Sequence, residues 1–267
     1  MKVVMTIAGS DSGGCAGIQA DLKAFAAMGV FGTSVITAVT AQNTTGVTDI
    51  HEVPAGAVRA QIRALFDDFE IAAVKTGMLP SAEIVECVAG ELALAKDRPL
   101  VVDPVMIATS RAALMKEGAL PALIERLLPM ATLVTPNLHE ASVLSGREVV
   151  GEESAVEAAR AIRDLGPAAV LVKGGDATGD EAVDILFDGR EIFRFPAPRI
   201  RTKNTHGTGC AYASAIAARL ALGESVSRAV RNGKAFITEA IRGGIDVGRG
   251  HGPTNPLYFL PPWRASG

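Results

Sequence analysis

Short apolar runs, each shut off by a glycine or a turn residue, recur along the chain. Val3–Ala8 is the first, closed by Gly9-Ser10-Asp11-Ser12-Gly13-Gly14. Ile18, Leu22 and Phe25 then follow at helical spacing until Gly29, a stop signal. Ser34–Ala41 is rich in β-branched residues and predicts a buried strand. Val58, Ile62, Leu65 and Phe66 share one stripe and predict a helix over Pro54–Phe66. Ile71–Val74 predicts a strand ended by Lys75-Thr76-Gly77, and a helix from about Ser81 carries Ile84, Val88 and Leu92.

The second half repeats the theme. Leu100–Val102 stops at Asp103-Pro104, Leu133–Val134 at Thr135-Pro136-Asn137, and Ala169–Val172 at Lys173-Gly174-Gly175. Strands Val183–Phe187 and Glu191–Phe195 flank Asp188-Gly189, a hairpin signal. Two long helices, Gly209–Leu222 and Val226–Ile241, are expected after it. Short apolar strands alternating with amphipathic helices predict an α/β fold whose parallel sheet is covered on both faces. No proline- or serine-rich linker divides the 267 residues, so a single domain over 1–267 is expected. Ligands of such sheets bind beyond the carboxyl ends of the strands. Here those ends carry Asp11, Gln42, Lys75, Asp103, Asn137 and Lys173.

Composition narrows the classes. Hydrophobic residues make up 48% and charged ones 21%, which excludes a disordered chain. A net charge of -3, scattered in both signs, gives no electrostatic case for nucleic acid or an acidic membrane surface. Cys15, Cys87 and Cys210, an odd and widely spaced set, make neither a disulfide framework nor a zinc-ligand pattern and fit a reducing compartment. The run Val3–Ala8 is too short for a signal-peptide core. The uncharged stretch Ala24–Thr48 is interrupted by Gly29, Gly32, Gln42 and Asn43, unlike a membrane span. A soluble, cytoplasmic protein is expected.

The most informative segment is Asn204-Thr205-His206-Gly207-Thr208-Gly209-Cys210, which opens a helix rich in small residues. Gly207, Thr208 and Gly209 let backbone N–H groups approach an anion, and the helix N-terminus adds its dipole. Cys210 falls in the first turn, where a thiol pKa of about 8.5 is typically lowered, so it is a candidate base for a substrate hydroxyl. The competing reading is close helix packing with Cys210 as a small filler. No G-x-x-x-x-G-K-[ST] occurs, and no G-x-G-x-x-G follows the first strand. Asn137 and Glu140 either form an ordinary N-terminal helix cap or place a carboxylate among the water ligands of Mg²⁺. Asp103 is a second carboxylate or a turn residue before Pro104, and Lys173 is a cation for nucleotide phosphates or a plain loop lysine. Gln42 offers both donor and acceptor to a pyrimidine edge, or is a hydrogen-bonded turn residue. Asp21, inside the first helix, is a solvated carboxylate or a partner for a ring amino group. Together Asp103, Glu140 and Lys173 suit phosphoryl transfer, which needs positioning, a metal and charge neutralisation.

Collinear blocks support that reading: Thr6 to Gly14, Ala16 to Lys23, Thr40 to Thr44, Val74 to Met78, Val102 to Met106, Thr135 to Asn137, Val172 to Gly175 and Asn204 to Cys210. They resemble hydroxymethylpyrimidine/phosphomethylpyrimidine kinases over nearly the whole chain. The resemblance implies a ribokinase-like three-layer α/β/α sandwich with a mostly parallel sheet, ATP with Mg²⁺ as cofactors, and often a homodimer. It implies phosphorylation of 4-amino-5-hydroxymethyl-2-methylpyrimidine and then of its monophosphate, for thiamine biosynthesis. Gln42 matches the family's pyrimidine-binding glutamine, with Gly9, Asp21 and Met78 completing the expected substrate set. Cys210 matches the proposed base, Gly207, Thr208 and Gly209 the anion hole, and Asn137 and Glu140 the magnesium-associated motif. Lys173, Asp103 and Asn137 form the expected nucleotide set. Cys15 stands where many members carry glycine or serine, and Ala211 and Pro256 are further departures. The segment Ile107–Arg111 is shortened and lacks the usual lysine and glycine. Pyridoxal is the nearest rival substrate, and a non-catalytic pyrimidine sensor is the rival from another class.

Overall fold

The computed structural model describes residues 1–95, 97–107 and 114–261. The chain runs β1 (Val3–Asp11), α1 (Gly17–Ala27), β2 (Phe31–Asn43), β3 (Gly46–Glu52), α2 (Ala55–Asp68), β4 (Ile71–Thr76), α3 (Ala82–Ala93) and β5 (Leu100–Val102). After α4 (Ala119–Ala122), which continues through a π turn and a 3-10 turn to Met130, come β6 (Leu133–Val134), α5 (Leu138–Ser145), α6 (Glu152–Arg163) and β7 (Val170–Val172). β8 (Glu181–Phe187), β9 (Ile192–Pro198), α7 (Thr208–Ala221) and α8 (Val226–Arg242) complete the order.

The strands form one nine-stranded sheet, ordered β3-β2-β1-β4-β5-β6-β7-β8-β9. From β2 to β7 every neighbour is parallel, and antiparallel pairs close both edges. Period-two alternation sends successive strand residues into different layers. Val170 and Val172 join the core under α2 to α6, whereas Leu171 joins the core under α1, α7 and α8. Leu100 and Val102 divide from Val101 in the same way. The result is the expected α/β/α sandwich with a mostly parallel sheet.

Helix α7 is buried on nearly every side, which suits its run of alanines. Gly233 of α8 allows the close crossing, because a Cβ there would lie 2.8 Å from Ile216. Three elements go beyond the sequence reading, the short α4 among them. β3 is a largely exposed edge strand, and α6 buries a stripe made mostly of alanine: Ala155, Ala158, Ala159 and Ile162. Of the shortened segment Ile107–Arg111, residues 108–111 lie outside the described residues.

Candidate active site

The parallel order brings the carboxyl ends of β1, β2, β4, β5, β6 and β7 to one edge of the sheet, where the N-terminus of α7 meets them. At the end of β1, Asp11 organises the glycine-rich loop. Its carboxylate accepts the N–H groups of Gly13 (2.8 Å), Cys15 (2.9 Å) and Ala16 (2.8 Å). The loop then lies against the turn before α7. Gly207 has φ +79°, and a Cβ there would sit 1.8 Å from the Cys15 carbonyl oxygen, so no side chain can be carried.

Gly207 is the N-cap of α7, and the helical ladder begins with Ala211 N–H donating to Gly207 O. Thr208 turns both its N–H and its hydroxyl to Thr205 O. Gly209 and Cys210 therefore stand ahead of the helical ladder, where backbone N–H groups have no intrahelical acceptor. Cys210, the third residue of the helix, is half-buried. Burial pushes the thiol up to about 11; Lys75 opposes this, and Asp21 and Asp103 add to it. Burial thus acts against the lowering expected at a helix N-terminus, and the nearby Lys75 ammonium does not offset it.

Beside this helix end lies the charged group expected for a nucleotide. Lys173 Nζ is 2.7 Å from Asp103 Oδ1, which also accepts the Thr135 hydroxyl at 3.0 Å. A Cβ on Gly209 would lie 3.3 Å from Lys173 Nζ and 3.7 Å from Asp103 Oδ2, so this glycine leaves the ion pair uncovered. Burial works against the Lys173 charge, but Asp103 and Glu140 outweigh it and hold the ammonium charged. Asn137 and Glu140 form the helix cap: Asn137 Oδ1 accepts Glu140 N–H at 2.8 Å, and Glu140 Oε2 accepts Asn137 N–H at 2.8 Å. The cap does not exhaust the carboxylate's role. Burial pushes Glu140 up to about 7, with Lys173 opposing and Asp103 adding to the rise. Two neighbouring carboxylates, one held near neutrality by burial and repulsion, are a donor set that an added divalent cation would relieve, so they fit Mg²⁺.

On the substrate side, Gln42 ends β2. Its backbone is tied to the Ser12 hydroxyl, its side-chain oxygen accepts from Thr40, and its amide nitrogen lies 2.9 Å from His206 Nε2. Met78 packs with Ala38 and Leu114 in a small apolar cluster, and a Cβ on Gly9 would meet its sulfur at 3.0 Å. Asp21 requires a correction. It is neither solvated nor open to a ring amino group, because its carboxylate is sealed in the core by Lys75, Thr6 and Ser214. Helix spacing places Asp21 on α1, but it cannot show that a buried lysine from β4 faces it. His206 has no distinct role in the sequence pattern beyond its place in the loop, yet it links Gln42 to α7. Asp184 of β8, which no motif marks, is buried between Lys234 (2.8 Å) and the Gly174 N–H (2.9 Å) and anchors the turn after Lys173.

A parallel α/β sheet with a glycine-cradled helix N-terminus, a lysine-carboxylate pair and an adjacent polar pocket defines a phosphoryl-transfer enzyme. Comparison with known proteins makes the assignment specific. The family model for phosphomethylpyrimidine kinase matches residues 11–255, and the chain belongs to that family. It is 50% identical over 263 residues to the hydroxymethylpyrimidine/phosphomethylpyrimidine kinase of Haemophilus influenzae, covering 96% of each. It is 53% identical over 254 residues to a thiamine biosynthesis bifunctional protein of Geobacter sulfurreducens, spanning 95% of this chain and only 52% of that relative. Among solved structures, an ADP complex of Bacillus subtilis pyridoxal kinase matches with a TM-score of 0.89 and 37% identity, covering 97% of this chain and 98% of that one.

Proposed function

We propose that this chain, acting as one kinase domain, transfers the γ-phosphoryl group of ATP to the hydroxymethyl oxygen of 4-amino-5-hydroxymethyl-2-methylpyrimidine, and then to the resulting monophosphate. The observation that carries this reading is the placement of Cys210 and the Gly207–Gly209 turn directly beside the Lys173–Asp103 pair. Gln42 orients the pyrimidine edge, while Gly9 and Met78 form the apolar side of its pocket. Asp21 acts at a distance, by fixing Lys75 beneath Cys210. The hydroxymethyl oxygen attacks the γ-phosphorus, its proton passes to the Cys210 sulfur, and ADP leaves with the bridging electron pair.

N–H groups at the start of α7 hold the oxygens of the transferring group, and Lys173 offsets charge on the nucleotide. Asp103 and Glu140 would hold Mg²⁺, with Asn137 fixing Glu140; when bound, the ion neutralises phosphate charge. The thiol rests protonated, so only the thiolate fraction is competent as a base. A loose transition state asks little basicity of it, since the attacking hydroxyl is deprotonated late.

Pyridoxal is the competing acceptor, because a solved pyridoxal kinase shares the fold over nearly the whole chain. Comparing kcat/KM for the two alcohols separates the readings. A higher value for pyridoxal would replace the pyrimidine as substrate while leaving the chemistry intact. The homodimer carries over from the resemblance and is checked by light scattering. The cytoplasmic setting is supported by the free state of Cys15, Cys87 and Cys210. No helix among the described residues is long and apolar enough to cross a membrane.

A further inference from the structure

Asp11 at the end of β1, Cys15 in the glycine-rich loop and His206 before α7 come from distant parts of the chain, and all three are buried. One ligand atom of each lies within 4.8 Å of the other two, and His206 Nε2 is 3.7 Å from Asp11 Oδ2. The geometry points to a binding site for a soft divalent cation of the zinc class, built from the Cys15 thiolate, the His206 imidazole and the Asp11 carboxylate. The inference concerns binding at a place separate from the Asp103 and Glu140 carboxylates.

The donor set selects the metal. Thiolate and imidazole favour zinc or cobalt, whereas magnesium prefers oxygen alone. A tetrahedral zinc with bonds of about 2.0–2.3 Å needs donors roughly 3.3–3.7 Å apart, so the three groups need only small side-chain rotations to close on an ion. Their backbones are already pinned. Asp11 accepts two of its three N–H groups on Oδ2 and one on Oδ1, so of the roughly four lone-pair sites of a carboxylate the one left for a metal lies on Oδ1, which a small rotation must turn toward His206. Cys15 O packs against Gly207, and the His206 backbone is bonded to both Gly252 and Thr254. Of the three donors, His206 also lines a cleft with Gln42, Asn43, Thr44, Thr45, Gly46 and His251, the side from which a water would complete the ion's coordination.

Binding balances simply. The Cys15 S–H, which donates to Gly13 O at 3.3 Å, gives up its proton to solvent as the sulfur–metal bond forms, so one proton leaves per ion. His206 Nε2 cannot serve the ion and the Gln42 amide together. The metal therefore opposes the grip of Gln42 on the pyrimidine.

The test titrates Co²⁺ into the full, nucleotide-free chain. One equivalent should produce a thiolate-to-cobalt band in the near ultraviolet with release of one proton, and Zn²⁺ should bleach it. Cys15→Ser, which keeps the backbone contacts, should lose the band while retaining its circular dichroism and its turnover. Cys87→Ser should keep the band. Absence of a thiolate band, or a band that survives Cys15→Ser, overturns the site. These readouts need no substrate and stand apart from the proposed reaction. Under turnover, Zn²⁺ should raise KM for the pyrimidine about tenfold, the effect of one lost hydrogen bond. An unchanged KM at saturating Zn²⁺ overturns the antagonism with Gln42.

Discussion

Lys75 Nζ stands 2.9 Å from Asp21 Oδ2, and neither side chain reaches solvent. The Thr6 and Ser214 hydroxyls donate to the same carboxylate at 2.6 Å and 2.7 Å, so every strong acceptor site on Asp21 is taken. Removing one partner leaves an uncompensated buried charge. Lys75→Met should therefore lower stability by about 3–5 kcal/mol in urea unfolding, and Lys75→Met with Asp21→Leu should recover part of the loss. If Asp21→Asn instead raised the pyrimidine KM with unchanged stability, Asp21 would be a substrate ligand after all.

Cys210→Ala should cut kcat by about 10²–10⁴-fold, the usual worth of a general base, and leave the pyrimidine KM near normal. The thiol sits at about 11, so the thiolate fraction grows as pH rises toward that value. Iodoacetamide labelling of Cys210 in the ligand-free protein should accelerate about tenfold per pH unit from neutrality upward, as expected for thiolate reactivity. A labelling rate that levels off near pH 8 would show that desolvation does not control this thiol.

Glu140 gives a second pH signature. Its carboxyl is raised to about 7 by burial, so it gains charge as pH climbs through neutrality. The affinity of the ligand-free protein for Mg-nucleotide should rise over that window, and Glu140→Gln should abolish the step while keeping a cap acceptor. Stability moves oppositely. The contribution from the neutral carboxyl is fully present below the unfolded value of about 4.3 and fades as pH rises through the folded value. Denaturation midpoints across this range should show the fade in the native chain and not in the variant.

Two glycines separate strain from collision. Gly223 has φ +89° and open space within 4 Å of where a Cβ would stand, whereas Gly207 combines φ +79° with the Cys15 carbonyl. Gly223→Ala should cost about 1–2 kcal/mol, the left-handed penalty alone. Gly207→Ala should cost more and abolish turnover, because the loop carrying Cys15 must move away from α7. Equal losses in the two variants, read from thermal unfolding and kcat, would remove the packing argument.

Much of this architecture follows from local signals. The buried strands are legible because Leu100–Val102 and Val170–Val172 are uniformly apolar and bounded by turn residues. β3 is not, because Gly46–Glu52 is polar, exposed and bound only at the sheet edge. α6 is hidden because its buried stripe is mostly alanine, which carries little hydrophobic contrast. In the site, Gln42, Glu140, Lys173 and Cys210 stand out through their positions at strand and helix ends. Their pairings do not: Lys75 stands at a strand end in the sequence, but that it lies near Cys210, and that His206 lies beside Gln42, only the folded sheet edge shows.

The most direct test incubates the purified chain with Mg-ATP and hydroxymethylpyrimidine, follows ADP release and resolves the products by charge. Monophosphate and diphosphate products should appear in succession, and both should be lost together in Cys210→Ala. Absence of ADP release with the pyrimidine, or undiminished release in Cys210→Ala, would contradict the proposed reaction.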